Sequence, residues 1–296
     1  MGLGIKKEMY GKYGNVLKLT SGKLDLIVTL DMGPRIISFT YDKGSNVFNE
    51  DVEVKVEHAH GIWHIYGGHR LWHSPEAMPR TYMPDNEPVQ YVEEKDSVVL
   101  RPKAEPYTQI QKEIRIKSVK DGVRITHKLT NNNAWPVELA LWALTVCARN
   151  GDLIIPLSKR QTGLLPNRLL VLWPYSKPDD PRFSLTQDFV LLKQDPYSAA
   201  PFKFGMNNED GWAAYLVSGF LFVKKYRHII GATYPDFGAS TEAYAAEWGM
   251  EVGTLSPVAV VQPGQALEHE ETWHLMEAEK LLPGDTGGIA ERVSSL

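Results

Sequence analysis

The chain has one cysteine in 296 residues, Cys147, set in the apolar run LALWALTVCA. A single thiol closes no internal disulfide, and in that setting it reads as a small buried hydrophobe. No stretch approaches the roughly 18 apolar residues a membrane-spanning helix needs. The opening residues, MGLGIKKEMYGKYG, lack the apolar core of a signal peptide. Neither charge dominates: 32 Lys and Arg stand against 36 Asp and Glu, a net charge of −4. Both signs are mixed along the chain, so there is no basic footprint for nucleic acid. Helical periodicity is nearly missing, with HLMEAEKLL the only candidate helix. Internal repeats and low-complexity linkers are missing too. These absences leave a cytoplasmic globular protein as the expectation. A 43% hydrophobic composition is enough for a sizeable core.

What is abundant is alternation. KLDLIVTL puts Leu24, Leu26, Val28 and Leu30 on one face, and TQIQKEIRIK does the same for Ile110, Ile114 and Ile116. DGVRITHKLTNN places Val123, Ile125, His127 and Leu129 together. Period-two patterning of this kind marks half-buried strands. Further apolar runs follow in VELALWALTVCA, RLLVLW, DFVLL, GFLFVKKY and SPVAVVQPG. Turn signals such as DMGP, DKGSN, KDG, NNN and QPGQ separate them. Many short strands without intervening helices predict an all-β sandwich or barrel. The Pro-rich LWPYSKPDDPRFSL reads as a long loop between strands. We therefore expect one domain over 1–296, with about 283–296 a terminal tail.

The unusual stretch is residues 58–73, which hold five of nine histidines: His58, His60, His64, His69 and His73. Metal ligation is one reading. His60-x3-His64 and His69-x3-His73 would suit helical ligand pairs, but Gly61, Gly67, Gly68 and Pro75 oppose a helix. On a strand, at about 3.3 Å per residue, such partners stand about 13 Å apart, too far for one ion. His58 and His60 could share a metal only with a third ligand from elsewhere. Structural histidines that cap loops or meet carboxylates are the plainer reading, and no metal or other cofactor is expected. After the Gly67-Gly68 pair, His69, Leu71 and His73 lean one way and Arg70, Trp72 and Ser74 the other. Arg70 and Trp72 suit a sugar platform, the indole facing C–H groups and the guanidinium reaching hydroxyls. A core Trp beside a surface Arg is the alternative.

His127, on an apolar strand face, is either a satisfied core residue or lies where that face opens into a cleft. In AEWGMEVGTLSP, Glu247 and Glu251 share a predicted strand face with Gly249 and Gly253, roughly 7 Å apart along the strand. Glycines on that face leave room for a ligand, or the face is simply solvated. Tyr82, Asp85, Asn86 and Glu87 form a polar loop, either a flap over a ligand or a surface turn.

The ordered set of motifs resembles the galactose-mutarotase-like, aldose-1-epimerase-related proteins. LDMGPRIISFTYDKGSNVF resembles their opening segment and IYGGHRLWHSPE their Gly-Gly segment. ITHKLTNNNAWPVELALWALT resembles their central strand pair, and MEVGTLSPVAVVQPGQALEHEETWHL their closing strands. The resemblance spans most of the chain and implies a β-supersandwich with an open carbohydrate-binding face. It implies a late-strand glutamate as the base, for which Glu251 is the match, and histidines as the acid, for which His69 and His127 are candidates. Arg70, Trp72, His73, Glu76, Tyr82, Asp85, Trp142 and Glu247 are the expected substrate-binding residues. Two departures stand out. Trp142 occupies the place of a family histidine, and TYMPDNEPV replaces a His-Gly pair. The expectation is a mutarotase acting on a small-molecule carbohydrate, with no nucleic acid or membrane partner. A sugar-binding module without catalysis, or a lyase or metal-assisted hydrolase in the same cleft, are the alternatives. Nothing in the sequence sets an oligomeric state.

Overall fold

The computed structural model describes residues 2–278 and 280–296. Alternation becomes two large antiparallel sheets. The first runs Gly4–Met9, Asn15–Ser21, Leu24–Thr29, Ile36–Tyr41, Gly68–Ser74, Val137–Cys147, Gly249–Leu255, Thr241–Ala246, Phe202–Met206 and Leu170–Leu172. Ala259–Val261 joins it along the start of Val137–Cys147. The second runs Phe183–Leu185, Phe189–Lys193, Asp152–Pro156, Trp212–Val217, Phe220–Tyr226, Ala266–Glu277, Gly122–Asn131, Ile110–Val119, Ser97–Arg101 and Gln90–Glu93. A separate hairpin, Val52–His58 with Gly61–Tyr66, carries the first three histidines of the cluster.

The main core lies between the two sheets. Leu26, Phe39, Leu71, Leu141 and Met250 come from the first, and Ile114, Ile125, Phe222 and Trp273 from the second. The faces read from alternation hold: Leu24, Leu26, Val28 and Leu30 all point inward, as do Val123, Ile125 and Leu129. Cys147 is a free thiol, fully buried. A smaller cluster, containing Trp63, Ile65, Trp72, Trp142 and Leu144, packs the separate hairpin onto the opposite face of the first sheet. The central strands of that sheet are thus covered on both sides.

Two expectations change at the carboxyl end. His274–Glu277 of the candidate helix instead end the long strand Ala266–Glu277, where cross-strand pairing with Phe220–Tyr226 extends the ladder. Glu279, in that same motif, lies outside the described residues. Residues 283–296, expected as a tail, carry a helix at Thr286–Ser294. Asp285 caps it by accepting from the Gly288 N–H. The helix buries Ile289 and Val293 against Ile154, Leu221 and Val223. No helix among the described residues is long and apolar enough to cross a membrane.

Candidate active site

The glycine pair that opens the histidine segment is consumed by the fold. Gly67 and Gly68 both have positive φ, and a Cβ on either would strike backbone, at Asn49 and Ile36 respectively. Only glycine lets the strand Gly68–Ser74 start so close to its neighbours. From there the strand alternates as the sequence says, with all seven residues buried.

Arg70 and Trp72 take the outer face, beneath the Val52–Tyr66 hairpin. There they meet side chains from the hairpin and from four other strands of the first sheet in a cavity of about 250 Å³. Its walls are rings: Trp63, Trp72, Trp142, Tyr82, Tyr244 and Trp248. The Arg70 guanidinium lies 4.2 Å from the Trp72 ring centre and 5.3 Å from that of Trp63. Glu251 faces it, with Oε1 2.6 Å from Arg70 Nη1. The two groups meet off the hydrogen-bonding axis, so both contacting atoms still lack a hydrogen-bond partner.

A lysine between two carboxyls completes the floor. Lys203 Nζ lies 3.0 Å from Glu242 Oε2 and 3.6 Å from Glu76 Oε2. It also sits 3.9 Å above Trp173 and 4.7 Å above Trp142. Glu242 is 2% exposed, and neither of its oxygens has a hydrogen-bond partner. Burial pushes its carboxyl up to about 8, only partly offset by Lys203. Glu242 pairs in register with Gly253 and Glu251 with Tyr244. The two residues are therefore diagonal neighbours on one face, their backbones roughly 7–8 Å apart by strand geometry. Tyr82 donates to Glu76 at the rim.

Of the expected site residues, the cleft gathers Glu251, Arg70, Trp72, Glu76, Tyr82 and Trp142. Trp142 does stand on the floor of the cleft. The room left by Gly253, however, is taken by that indole: a Cβ at 253 would lie 2.7 Å from Trp142 Nε1. Lys203, Glu242, Tyr175 and Tyr244 escaped the sequence reading. FKFGM and TEAYAA are short apolar strands whose single charged residues invite a surface assignment. Tyr175 comes from the Pro-rich loop.

Five expectations are corrected. His69 and His127 are not in the cleft, because they lie on the inner faces of the two sheets and meet each other in the sandwich interior. His127 Nδ1 donates to the His269 carbonyl at 3.0 Å, which leaves its Nε2 to accept from His69 Nε2 at 2.7 Å. His69 Nδ1 then accepts from Thr145 at 2.9 Å, and Thr145 in turn accepts from Lys224 at 3.1 Å. Each partner needs the other neutral, and burial drives both pKa values down. His73 is also on the inner face, 3.4 Å from Glu105. Asp85 turns to Arg35, accepting from its Nη2 at 3.0 Å. Glu247 is not on a strand face. It is the exposed residue of the two-residue turn between Thr241–Ala246 and Gly249–Leu255, whose other residue, Trp248, is half-buried.

The ligand atoms of His69, His127 and Glu271 lie within 4.8 Å of one another, the one such triad among the described residues. Lys224 Nζ, 2.9 Å from Glu271 Oε1, already supplies the cation there. The 2.7 Å contact between the two imidazoles is a hydrogen bond, which occupies the lone pair an ion would need. The triad does not fit a metal ion.

No protein-family model matches this sequence, and no curated protein matches it. Solved structures do match the fold. A galactose mutarotase-like protein from Lactobacillus casei is 10% identical, with a TM-score of 0.53 over 88% of this chain and 100% of its own. A galactose mutarotase-like protein from Clostridium acetobutylicum is 9% identical, with a TM-score of 0.50 over 93% of this chain and 99% of its own. A TPR-domain containing protein from Parabacteroides distasonis is 13% identical, with a TM-score of 0.59 over 90% of this chain. This chain spans 48% of that protein's length. The two-sheet sandwich and its neighbours agree with the resemblance read from the motifs: the chain has the galactose-mutarotase-like fold.

Proposed function

We propose that the protein binds an aldose in the aromatic cleft and interconverts its anomers, with Glu251 as the base. The observation that carries this is the pair of carboxyls on one cleft face, Glu251 and Glu242, held in unlike surroundings. Ring opening needs a base at the anomeric hydroxyl and an acid at the ring oxygen, each within hydrogen-bond reach. Glu251 takes the O1 proton and Arg70 steadies the carboxylate. The histidines that would serve as acid lie behind the sheet, so the acid comes from the cleft itself. Glu242, protonated at neutral pH, donates to the ring oxygen; the C1–O5 bond breaks and the open-chain aldehyde forms. Rotation about C1–C2 and the reverse proton transfers close the ring on the other anomeric face. A carboxyl kept protonated by burial beside a second carboxylate is a recurrent acid–base arrangement. The indoles of Trp72 and Trp142 offer flat faces to the sugar's C–H groups.

Polarimetry of freshly dissolved α-anomers across a broad aldose panel tests this. Wild-type protein should speed equilibration, while Glu251→Gln should lose about 10²–10⁴ of that rate with its fold intact. A second reading, a sugar-binding module without turnover, draws on the lack of any histidine in the cleft. Saturable sugar quenching of tryptophan fluorescence, with equilibration at the uncatalysed rate, would select it.

A further inference from the structure

A second, larger cavity of about 660 Å³ opens at the edge of the sandwich, on the other side of the first sheet from the cleft. Its floor is Leu71 from the first sheet and Ile114 from the second, while Trp72, next to Leu71, faces the cleft. Loops carrying Pro34, Pro84, Pro102 and Pro106 wall it. The mouth holds the His60 ring 4.1 Å from the ring of Tyr107, which is 58% exposed. This is where a member of the histidine cluster left unused by the cleft is placed.

The charged groups of this cavity are balanced. Lys112 Nζ lies 2.6 Å from Glu105 Oε1, with both side chains at most 10% exposed. Burial, the largest single effect, would raise the Glu105 carboxyl, but Lys112 and His73 together outweigh it and bring it down to about 2, so the pair stays ionised. Glu105 Oε1 has no hydrogen-bond partner, nor does either ring nitrogen of His73 behind it. Lys112 has three donors and meets one carboxylate. Arg35 is neutralised by Asp85, and Lys103 by Glu87 at 2.7 Å. A ligand bringing a net charge here would leave that charge uncompensated in a largely apolar site.

We propose that this cavity is a second binding site, for an uncharged ring compound with a carbonyl or hydroxyl acceptor. The ring lies over Leu71 and Ile114, its outer edge against Tyr107 and His60, and the acceptor takes a free N–H of Lys112. The volume is that of a pocket for a small organic molecule. The two sites lie on opposite faces of the strand Gly68–Ser74 and share no wall residue.

The test uses 7-methoxycoumarin, a neutral lactone with a carbonyl acceptor, titrated into the full chain by calorimetry. We expect saturable one-to-one binding. Ala104→Trp, which fills the cavity from a loop, should weaken it by about tenfold or more, equivalent to roughly 1.4 kcal/mol. Trp142→Ala in the cleft should leave it unchanged. If Ala104→Trp does not fold, judged by its thermal melt, Tyr107→Ala at an exposed position replaces it, with the same direction expected. The proposal is overturned if wild-type protein shows no saturable binding. It is equally overturned if the cavity variant binds like wild type, if Trp142→Ala abolishes binding, or if 7-methoxycoumarin-3-carboxylate binds more tightly than the neutral lactone. Loss of mutarotation in Glu251→Gln leaves this outcome untouched, so the two readings fail separately.

Discussion

Arg70 and Glu251 meet at 2.6 Å although their strands are not neighbours. The strand Val137–Cys147 lies between them, with Leu144 opposite Arg70 on one side and opposite Gly253 on the other. The guanidinium therefore reaches over the central strand, and the indoles of Trp63 and Trp72 hold it there. The pair is a property of three strands in register.

In the proposed reaction that arrangement makes Arg70 an orienting group. Arg70→Lys should keep the charge but lose both the planar stack and the reach. We expect a drop of about tenfold or more in kcat/KM for the best aldose, with Arg70→Ala lower still and less stable, since Glu251 then loses its counter-charge. Steady-state polarimetry beside thermal melts checks this. Equal kcat/KM in Arg70→Lys and wild type would remove the guanidinium geometry from the mechanism.

Glu242 should set the alkaline limb of activity. Its folded pKa is raised to about 8, so the proton it donates is lost as pH rises through that value, and kcat/KM should fall there. The stability sign follows the same shift. The unfolded carboxyl ionises near its ordinary value of 4.5 while the folded one keeps its proton to about 8. Its contribution is full below the lower value and declines between the two as pH rises. Glu242→Gln should flatten that decline and abolish the alkaline limb together with most turnover. Chemical denaturation at a series of pH values, paired with rate profiles, tests both halves.

His69→Ala should damage stability and spare chemistry. It removes a donor to His127 and an acceptor for Thr145, both buried, at about 1–3 kcal/mol for each group left unpaired. A melting temperature lowered by several degrees with unchanged kcat is the expected result. A kcat lowered a hundredfold in folded protein would return His69 to the catalytic machinery.

The same network predicts acid sensitivity. His69, His127 and His269 are buried with lowered pKa values, burial bringing His269 to about 3. Groups depressed in the folded state contribute stability that is present above their unfolded pKa, near 6.5, and lost as pH falls below it. Each histidine that protonates only on unfolding costs about 1.4 kcal/mol per pH unit over that window. Unfolding free energy measured from pH 7 down to 5 should fall more steeply in wild type than in His269→Gln.

Gly253→Ala tests how tightly Trp142 fills its place. The new methyl would sit 2.7 Å from Trp142 Nε1, so the indole must shift into the cleft. We expect overpacking of about 1–3 kcal/mol and weaker sugar quenching of tryptophan fluorescence. Wild-type stability and quenching would show that the indole relaxes freely.

By itself the sequence determined the all-β class, many of the strands and, where alternation was regular, their two faces. Those follow from a period of two, which the backbone imposes wherever it is extended. It separated His69, Leu71 and His73 from Arg70, Trp72 and Ser74, and that separation holds. It could not say which set faces a cleft, because all seven residues from Gly68 to Ser74 are buried. A strand covered on both sides offers no polar face to read. The hairpin Val52–Tyr66 does the covering, and only the folded chain brings it there. Tertiary structure also decided that the histidines drawn together by sequence are divided among a hairpin, the sandwich interior and a second cavity. Glu242 and Lys203 belong to strands distant in sequence from Arg70, and they join it because sheet order, not chain order, sets which side chains share a face.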